Sequence, residues 1–338
     1  MTLYGGIDLH ANNSVVVVLD DQDRVVYEKR LSNYLEHIVE QLAPYQGTLA
    51  GLVVESTYNW YWLVDGLMEA GYRVHLANTA AIQQYSGLKY SDDKSDARWL
   101  AHLLRLGVLP EGYIYPKKDR AVRDLLRKRS QLVQQKTANV LSIQNLMARN
   151  TGVSMSGNRI KQLQSEEVSD LLGNAERALA VESTLVVMQC LAEQIGVVER
   201  AVKERVKLCP AFRQLLTVSG IGDVLALTIM LETGDIGRFE RVGHFASYCR
   251  CVDSQKLSNG KRKGKGNTKN GNAYLAWAFV EAAHFAVRYN PQIKRYYQRK
   301  TAKTNGVVAI KAVAHKLARA CYYVMRDQVP FETAKAFG

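Results

Sequence analysis

Four acidic residues stand where two apolar runs end and one helical run begins. Asp8 closes the run in "LYGGIDLH" and Glu55 closes the run in "TLAGLVVEST". Asp93 and Asp96, in "SDDKSDARWLAHLLR", are three residues apart and project from one face of a helix. An acid at the close of an apolar run occupies a place where a hydrophobe is less costly to bury. Carboxylate oxygens gathered at one point suit Mg2+ or Mn2+, which can stabilise the attacking and leaving oxygens of a phosphodiester. The same residues also admit a structural reading. Asp8 then caps a turn, Glu55 pairs with an arginine such as Arg98, and Asp93 and Asp96 favour helix initiation. Asp92 points about 100° away from Asp93 and reads as a partner of the helix dipole. His10, a lone histidine after a strand, reads as structural or exposed.

These carboxylates meet only if the elements carrying them meet. "LYGGIDLH", "SVVVVLD" and "RVVYEKRL" are three short β-rich runs separated by polar turns, the pattern of an antiparallel meander. A helical "NYLEHIVEQLAPY" leads to the strand "TLAGLVVES", a helix "YNWYWLVDGLMEAGY" to the strand "RVHLAN", and a helix follows from about 91 to 106. Three meander strands followed by alternating helices and strands is the order of an RNase H-like fold. In that fold the first strand is central and the fourth lies beside it, which would bring Asp8 and Glu55 together.

Further along, 117–150 forms a long helical pattern. Val122, Leu125, Leu126, Val133 and Val140 make its apolar stripe, interleaved with Arg123, Arg127, Lys128, Arg129 and Lys136. A second long amphipathic pattern ends near residue 206. Such helices pair with each other or with a second subunit, and the basic face of the first could follow a phosphate backbone. In "FRQLLTVSGIGDVLAL", "SGIG" lies between two apolar helical patterns. It suggests a helix-hairpin-helix, whose glycine turn lets amides approach a DNA phosphate, or an ordinary αα-hairpin. Two helices are expected at the end of the chain. Tyr274, Trp277 and Tyr289 read as core, whereas Tyr296 and Tyr297, flanked by Lys294, Arg295, Arg299 and Lys300, suit nucleic-acid contact.

The chain has 45 Lys plus Arg against 32 Asp plus Glu, a net charge of +13. This balance favours a polyanionic partner, usually nucleic acid. The five cysteines make neither a disulfide framework nor a zinc pattern. "SVVVVL" is too short to span a bilayer, and the start lacks the pattern of a signal peptide. The expectation is a cytoplasmic protein acting at the nucleoid, without a membrane partner. Lys256 to Lys269 carries six Lys/Arg and no acid. Within it Lys261, Arg262, Lys263, Lys265 and Lys269 could hold a phosphate. Its glycines suggest a loop that orders on DNA, and Thr268 could cap the helix that follows.

The ordered set "GIDLH", "VVEST", "DDKSDARWLA", "VSGIG" and "GNTKNGNAYLAWA", spread over nearly the whole chain, resembles one family. These are the insertion-sequence transposases with an Asp-Glu-Asp-Asp RuvC-like domain (the insertion-sequence one-ten family), together with the related Piv DNA invertases. The resemblance implies an α/β plus α chain in three parts. A RuvC-like metal-binding domain spans 1–115, a helical coiled-coil spacer 116–208, and a mostly helical C-terminal transposase domain with the nucleophile 209–338. It implies that Asp8, Glu55, Asp93 and Asp96 hold Mg2+ or Mn2+. A family serine that attacks DNA falls at Thr268, a departure that crowds the nucleophile with a methyl group; Ser258 is the fallback nucleophile. It also implies donor and target DNA, a structured bridge RNA as guide, and dimers that assemble to tetramers. The alternative is a metal-dependent, structure-selective nuclease of the RuvC resolvase type using water. A non-enzymatic nucleic-acid scaffold is the third reading.

Overall fold

The structure, a computed structural model, describes residues 1–82, 92–206, 209–264 and 270–338. Two compact units divide the chain: Met1–Lys117 with Ser254–Asn270, and Lys118–Asp253 with Gly271–Gly338.

The first unit is built on β1 (Leu3–Leu9), β2 (Asn13–Leu19), β3 (Val25–Ser32), β4 (Leu49–Glu55) and β5 (Val74–Ala77), ordered β3-β2-β1-β4-β5. β1 and β2 pair antiparallel, as do β2 and β3; β1 pairs parallel with β4, and β4 with β5. Antiparallel neighbours need only tight turns, whereas each parallel pair needs a crossover helix. These helices are α1 (Leu35–Leu42) and α2 (Tyr61–Glu69), and α3 (Asp93–Arg105) follows β5.

Strand periodicity sorts the side chains. Ile7, Leu9, Val16, Val18, Leu52 and Val54 share a core with Leu63 and Leu67 of α2 and Ile38 of α1. Val15, Val17 and Leu19 pack instead with Ala97 and Ala101 of α3, and Val53 packs with Leu100. Asp8 and Glu55 have the parity of Gly6 and Val53, so they share the α3 face. Gly6 lets that helix approach: a Cβ there would lie 2.0 Å from the Ala97 carbonyl oxygen. The close approach brings the N-terminus of α3 to the strand ends.

In the second unit, α4 (Lys117–Thr151) begins at the boundary and runs for 35 residues. The short α5 (Gly157–Ile160) and α6 (Ser165–Leu172) lead to α7 (Ala175–Val206). Val140, Ile143 and Met147 of α4 form a core with Val168 and Leu172 of α6 and Val181 of α7. Part of the anticipated charged face of α4 is inward, since Arg123 is buried, as is Arg120 one turn before it. By length and composition α7 is the one described helix long and apolar enough to cross a membrane, and 11% of its apolar window is buried.

α8 (Pro210–Leu215), α9 (Asp223–Thr233) and α10 (Val242–Tyr248) precede a two-stranded ribbon, β6 (Lys256–Ser258) and β7 (Lys261–Gly264), which belongs to the first unit. Four helices, rather than two, then end the chain: α11 (Ala273–Tyr289), α12 (Pro291–Lys303), α13 (Gly306–Asp327) and α14 (Thr333–Phe337). The turn between α8 and α9 packs closely on α11. Gly220 has φ +88°, and a side chain there would come within 2.3 Å of the Ala282 carbonyl oxygen. That glycine therefore serves helix packing. Trp277 and Tyr289, expected in the core, are 41% and 67% exposed, because α11 buries the face carrying Leu275, Ala278, Phe279, Ala282 and Ala286 instead. Tyr296 and Tyr297, expected to face nucleic acid, are half-buried against the core.

Candidate active site

Ladder register assembles the acids. Ile7 lies opposite Val54 in the parallel pair, so the next residues, Asp8 and Glu55, end the two strands side by side. Asp8 is 3% exposed. The Glu55 carboxyl hydrogen-bonds the Asp8 carboxylate, and burial together with the negative charges of Asp8 and Asp96 pushes Glu55 up to about 8. Burial also raises Asp8, opposed by the Glu55 hydrogen bond and by His10. The pair therefore carries a proton at neutral pH.

α3 delivers the other two acids. Asp92 is the N-cap, its side chain accepting from the Ser95 amide at 2.8 Å, which fixes where the helix starts. Asp93 and Asp96 occupy the first turn. Asp96 lines a cavity of about 290 Å3 with Glu55, Thr79, Ile82, Trp99 and Leu100, and its charge reaches both Asp8 and Glu55. Asp93 accepts from Arg30 Nη2 at 2.5 Å and lies 3.1 Å from His10 Nε2. His10 Nε2 also lies 3.4 Å from Asp8 Oδ2. Arg30 and His10 hold the Asp93 carboxyl below the usual range. Arg98, offered above as a partner for Glu55, pairs with Glu28 instead.

The acids thus approach from three elements in two overlapping sets: Asp8 and Asp93 bring ligand atoms within 4.8 Å of each other and of His10, while Glu55 and Asp96 neighbour Asp8 without entering that group. His10 and Arg30, which motif reading passed over, stand beside Asp93. Register makes Arg30 part of the site: Asp8 pairs with Val15, and Val15 with Arg30, so one row crosses the sheet. The Asp8 and Asp93 donor set is spaced for a shared divalent cation, with Glu55 and Asp96 alongside. Its oxygens are hard ligands, and Glu55 retains a proton where like charges crowd.

Of the predicted DNA-facing residues, Lys261 and Lys263 lie on β7 and are exposed. Arg262, between them on the same strand, pairs with Leu257 in the ladder. Ser258 is exposed on β6 opposite Lys261. This part of the basic segment is a hairpin, not the open loop anticipated above. Thr268, Lys265 and Lys269 lie outside the described residues. Asn270, just beyond them, accepts from Asn78 Nδ2 at 3.2 Å. The cap of α11 is Asn272, whose side chain accepts from the Tyr274 and Leu275 amides, so the capping role considered for Thr268 belongs elsewhere.

Asn272 is held from behind. Its Nδ2 donates to Glu232 Oε2 at 2.7 Å, and Arg127 makes a two-pronged contact with the same carboxylate at 2.6 and 2.7 Å. Glu232 is 2% exposed. Glu232→Ala is expected to lower stability by about 1 to 2 kcal/mol, because it removes the charged hydrogen bonds to Arg127 and Asn272. Urea unfolding measures this, and an unchanged midpoint would contradict it.

The chain's likenesses follow the same layout. Residues 5–150 match the IS110-type DEDD domain, described as "Transposase". Residues 212–298 match the family described as "Transposase IS116/IS110/IS902 family". The chain belongs to the IS110 family of insertion-sequence transposases. It is 23% identical over 301 residues to the transposase for insertion sequence element IS1111A of Coxiella burnetii, covering 84% of this chain and 78% of that protein. It is 24% identical over 273 residues to the putative transposase y4qE of Sinorhizobium fredii, covering 78% of this chain and 65% of that protein. An IS110 insertion-element protein of Streptomyces coelicolor is 22% identical over 167 residues, covering 49% and 41%. An IS110-family transposase cuts and rejoins DNA, and its DEDD domain uses a divalent metal.

Proposed function

We propose that this IS110-family chain recombines DNA by transesterification at a cation site made by Asp8, Glu55, Asp93 and Asp96, with Mg2+ or Mn2+ as the ion. The observation that supports the reading is the approach of Asp8 to Asp93 within ligand distance, with Glu55 beside Asp8 on the adjacent strand and Asp96 one turn on in the same helix, inside the segment that matches the DEDD domain. The strand order β3-β2-β1-β4-β5 supports an RNase H-like fold. When bound, the cation supplies charge stabilisation to the attacking and leaving oxygens. The chain's own groups position it: Arg30 holds Asp93, and α3 presents Asp96 toward Glu55.

In this reading Thr268 attacks phosphorus. One phosphorus–oxygen bond to DNA breaks as one to the threonine oxygen forms. The hydroxyl proton is lost to a base, and the departing DNA oxygen gains one. Reversal of the step at a new end rejoins DNA without a polymerase. A bridge RNA selects donor and target in this proposal. Dimers assemble to tetramers, and the protein works in the cytoplasm at the nucleoid. Support for assembly comes from α7, where Leu179, Val186, Val187 and Val197 stand exposed along an otherwise helical scaffold. The three parts at 1–115, 116–208 and 209–338 then serve metal binding, assembly and strand attack.

Lys261, Arg262 and Lys263, with Lys265 and Lys269, are assigned to the DNA or RNA backbone. Changing the first three together to Ala is expected to lower the slope of log K against log salt by about 2 to 3, from the release of about one counterion per phosphate contact. Binding isotherms at several salt concentrations measure this, and a slope equal to the parent's would remove the ribbon from the interface. The overall test is metal-dependent cutting and rejoining of DNA that carries the element's ends. Binding without any strand cleavage would leave the chain a nucleic-acid scaffold.

A further inference from the structure

We propose that His10 is a nitrogen ligand of the cation site, which makes it a mixed oxygen–nitrogen site that prefers Mn2+ to Mg2+. This inference rests on the metal reading of the four acids. Adjacent ligands of an octahedral ion with bonds of about 2.1 Å stand about 3.0 Å apart. His10 Nε2 lies 3.1 Å from Asp93 Oδ2 and 3.4 Å from Asp8 Oδ2, close to that ligand–ligand edge. Among the described residues, Asp8, His10 and Asp93 form the group whose ligand atoms all fall within 4.8 Å of one another.

Its backbone is fixed independently of the acids. The His10 carbonyl accepts from Asn33 Nδ2 and from Asn59 Nδ2, each at 3.0 Å. The His10 amide donates to the Asn13 carbonyl at 2.9 Å. Two side chains from separate elements converging on one carbonyl hold the turn after β1, and so hold the imidazole at the mouth of the site. Arg30 completes the support, donating to Asn13 Oδ1 at 2.6 Å while its other nitrogen holds Asp93. Such outer contacts orient ligands and tune affinity. The imidazole is partly open to solvent, which leaves a route for a substrate phosphate.

Imidazole favours transition-metal ions, whereas Mg2+ favours oxygen. Mn2+ accepts both. A histidine at this edge therefore raises Mn2+ affinity with little effect on Mg2+. The competing account is that Nε2–H simply donates to a carboxylate, in which case the ion never touches nitrogen.

Pulsed EPR on the full chain titrated with Mn2+ alone separates these accounts. Imidazole nitrogen modulation is expected from the parent protein, changing in pattern when histidine is 15N-labelled. His10→Gln should lose the modulation and bind Mn2+ about tenfold more weakly. Its Mg2+ affinity, read by competition, should change by less than about threefold. Bound Mn2+ without nitrogen modulation in the parent overturns the proposal and leaves the acid site standing. So does modulation that persists in His10→Gln. Failure of the parent to bind Mn2+ would instead remove the metal reading beneath it. Labelling of the parent keeps the test valid even where the variant folds poorly.

Discussion

Asp8→Asn and Glu55→Gln are each expected to slow metal-dependent DNA cutting by about a thousandfold or more, yet leave the metal-free fold as stable as the parent or more so. The loss follows from geometry. Asp8 and Glu55 end adjacent parallel strands, and neither Asn nor Gln supplies the negative charge a divalent cation needs there. The preserved fold follows from electrostatics. In the absence of an ion, Asp8 is buried among like charges, and Glu55 is held protonated up to about 8 by burial, Asp8 and Asp96. An uncharged amide can keep the Asp8–Glu55 hydrogen bond and remove a repulsion. The sign of the pH dependence also follows. With the folded value of Glu55 raised above the unfolded one, its stabilising contribution is complete below about 4.5. It is lost as pH rises through about 8. The metal-free parent should therefore melt at progressively lower temperature across that window, and Glu55→Gln should flatten the slope. Strand cleavage assays and thermal unfolding with chelator measure the two halves. Parental turnover in both variants would leave these acids structural.

Two of the acids stood out because they break a local rule, and two through their spacing. Asp8 and Glu55 interrupt strand ends that otherwise favour hydrophobes, and Asp93 and Asp96 have the spacing of one helical face. His10 and Arg30 break no such rule. A histidine after a strand and an arginine on an edge strand are ordinary, and only the register Asp8–Val15–Arg30 puts them in one row. Register depends on pairing between segments, which a periodicity does not encode. A fainter signal was present in the small residues. Gly6 in β1, with Ala97 and Ala101 one turn apart in α3, prepares two surfaces for close approach. In α11 the buried face mixes small residues with two large ones. Alanines line the buried face with Leu275 and Phe279, and Trp277 and Tyr289 fall on the opposite face, against a reading based on hydrophobicity alone. The mixed α/β start and the helical remainder were readable from strand and helix periods. The ribbon at 256–264 was not, because lysine-rich segments have low strand propensity and its pairing is short.

Thr268→Ala is expected to reduce any SDS-resistant protein–DNA adduct by about a thousandfold while DNA and Mn2+ binding stay at parental levels, since an alanine offers no attacking oxygen. Thr268→Ser should retain the adduct and form it at least as fast. Serine keeps the hydroxyl and removes the methyl group that restricts χ1 and crowds the approach to phosphorus. A helix-capping role would predict a different pattern, namely a loss of stability in Thr268→Ala, but Asn272 already caps α11 through the Tyr274 and Leu275 amides. Ser258 provides the internal comparison. It lies opposite Lys261 in the ribbon ladder, and Ser258→Ala should leave the adduct intact. Mass spectrometry of the peptide attached to DNA identifies the residue directly. An adduct that survives Thr268→Ala and disappears in Ser258→Ala would transfer the chemistry to Ser258. Cutting at the parental rate in both variants, without an adduct, would make water the nucleophile and the enzyme a metal-dependent nuclease. The serine variant is the most discriminating of these. Only direct attack by the side-chain oxygen makes the rate depend on a methyl group while the hydroxyl is unchanged.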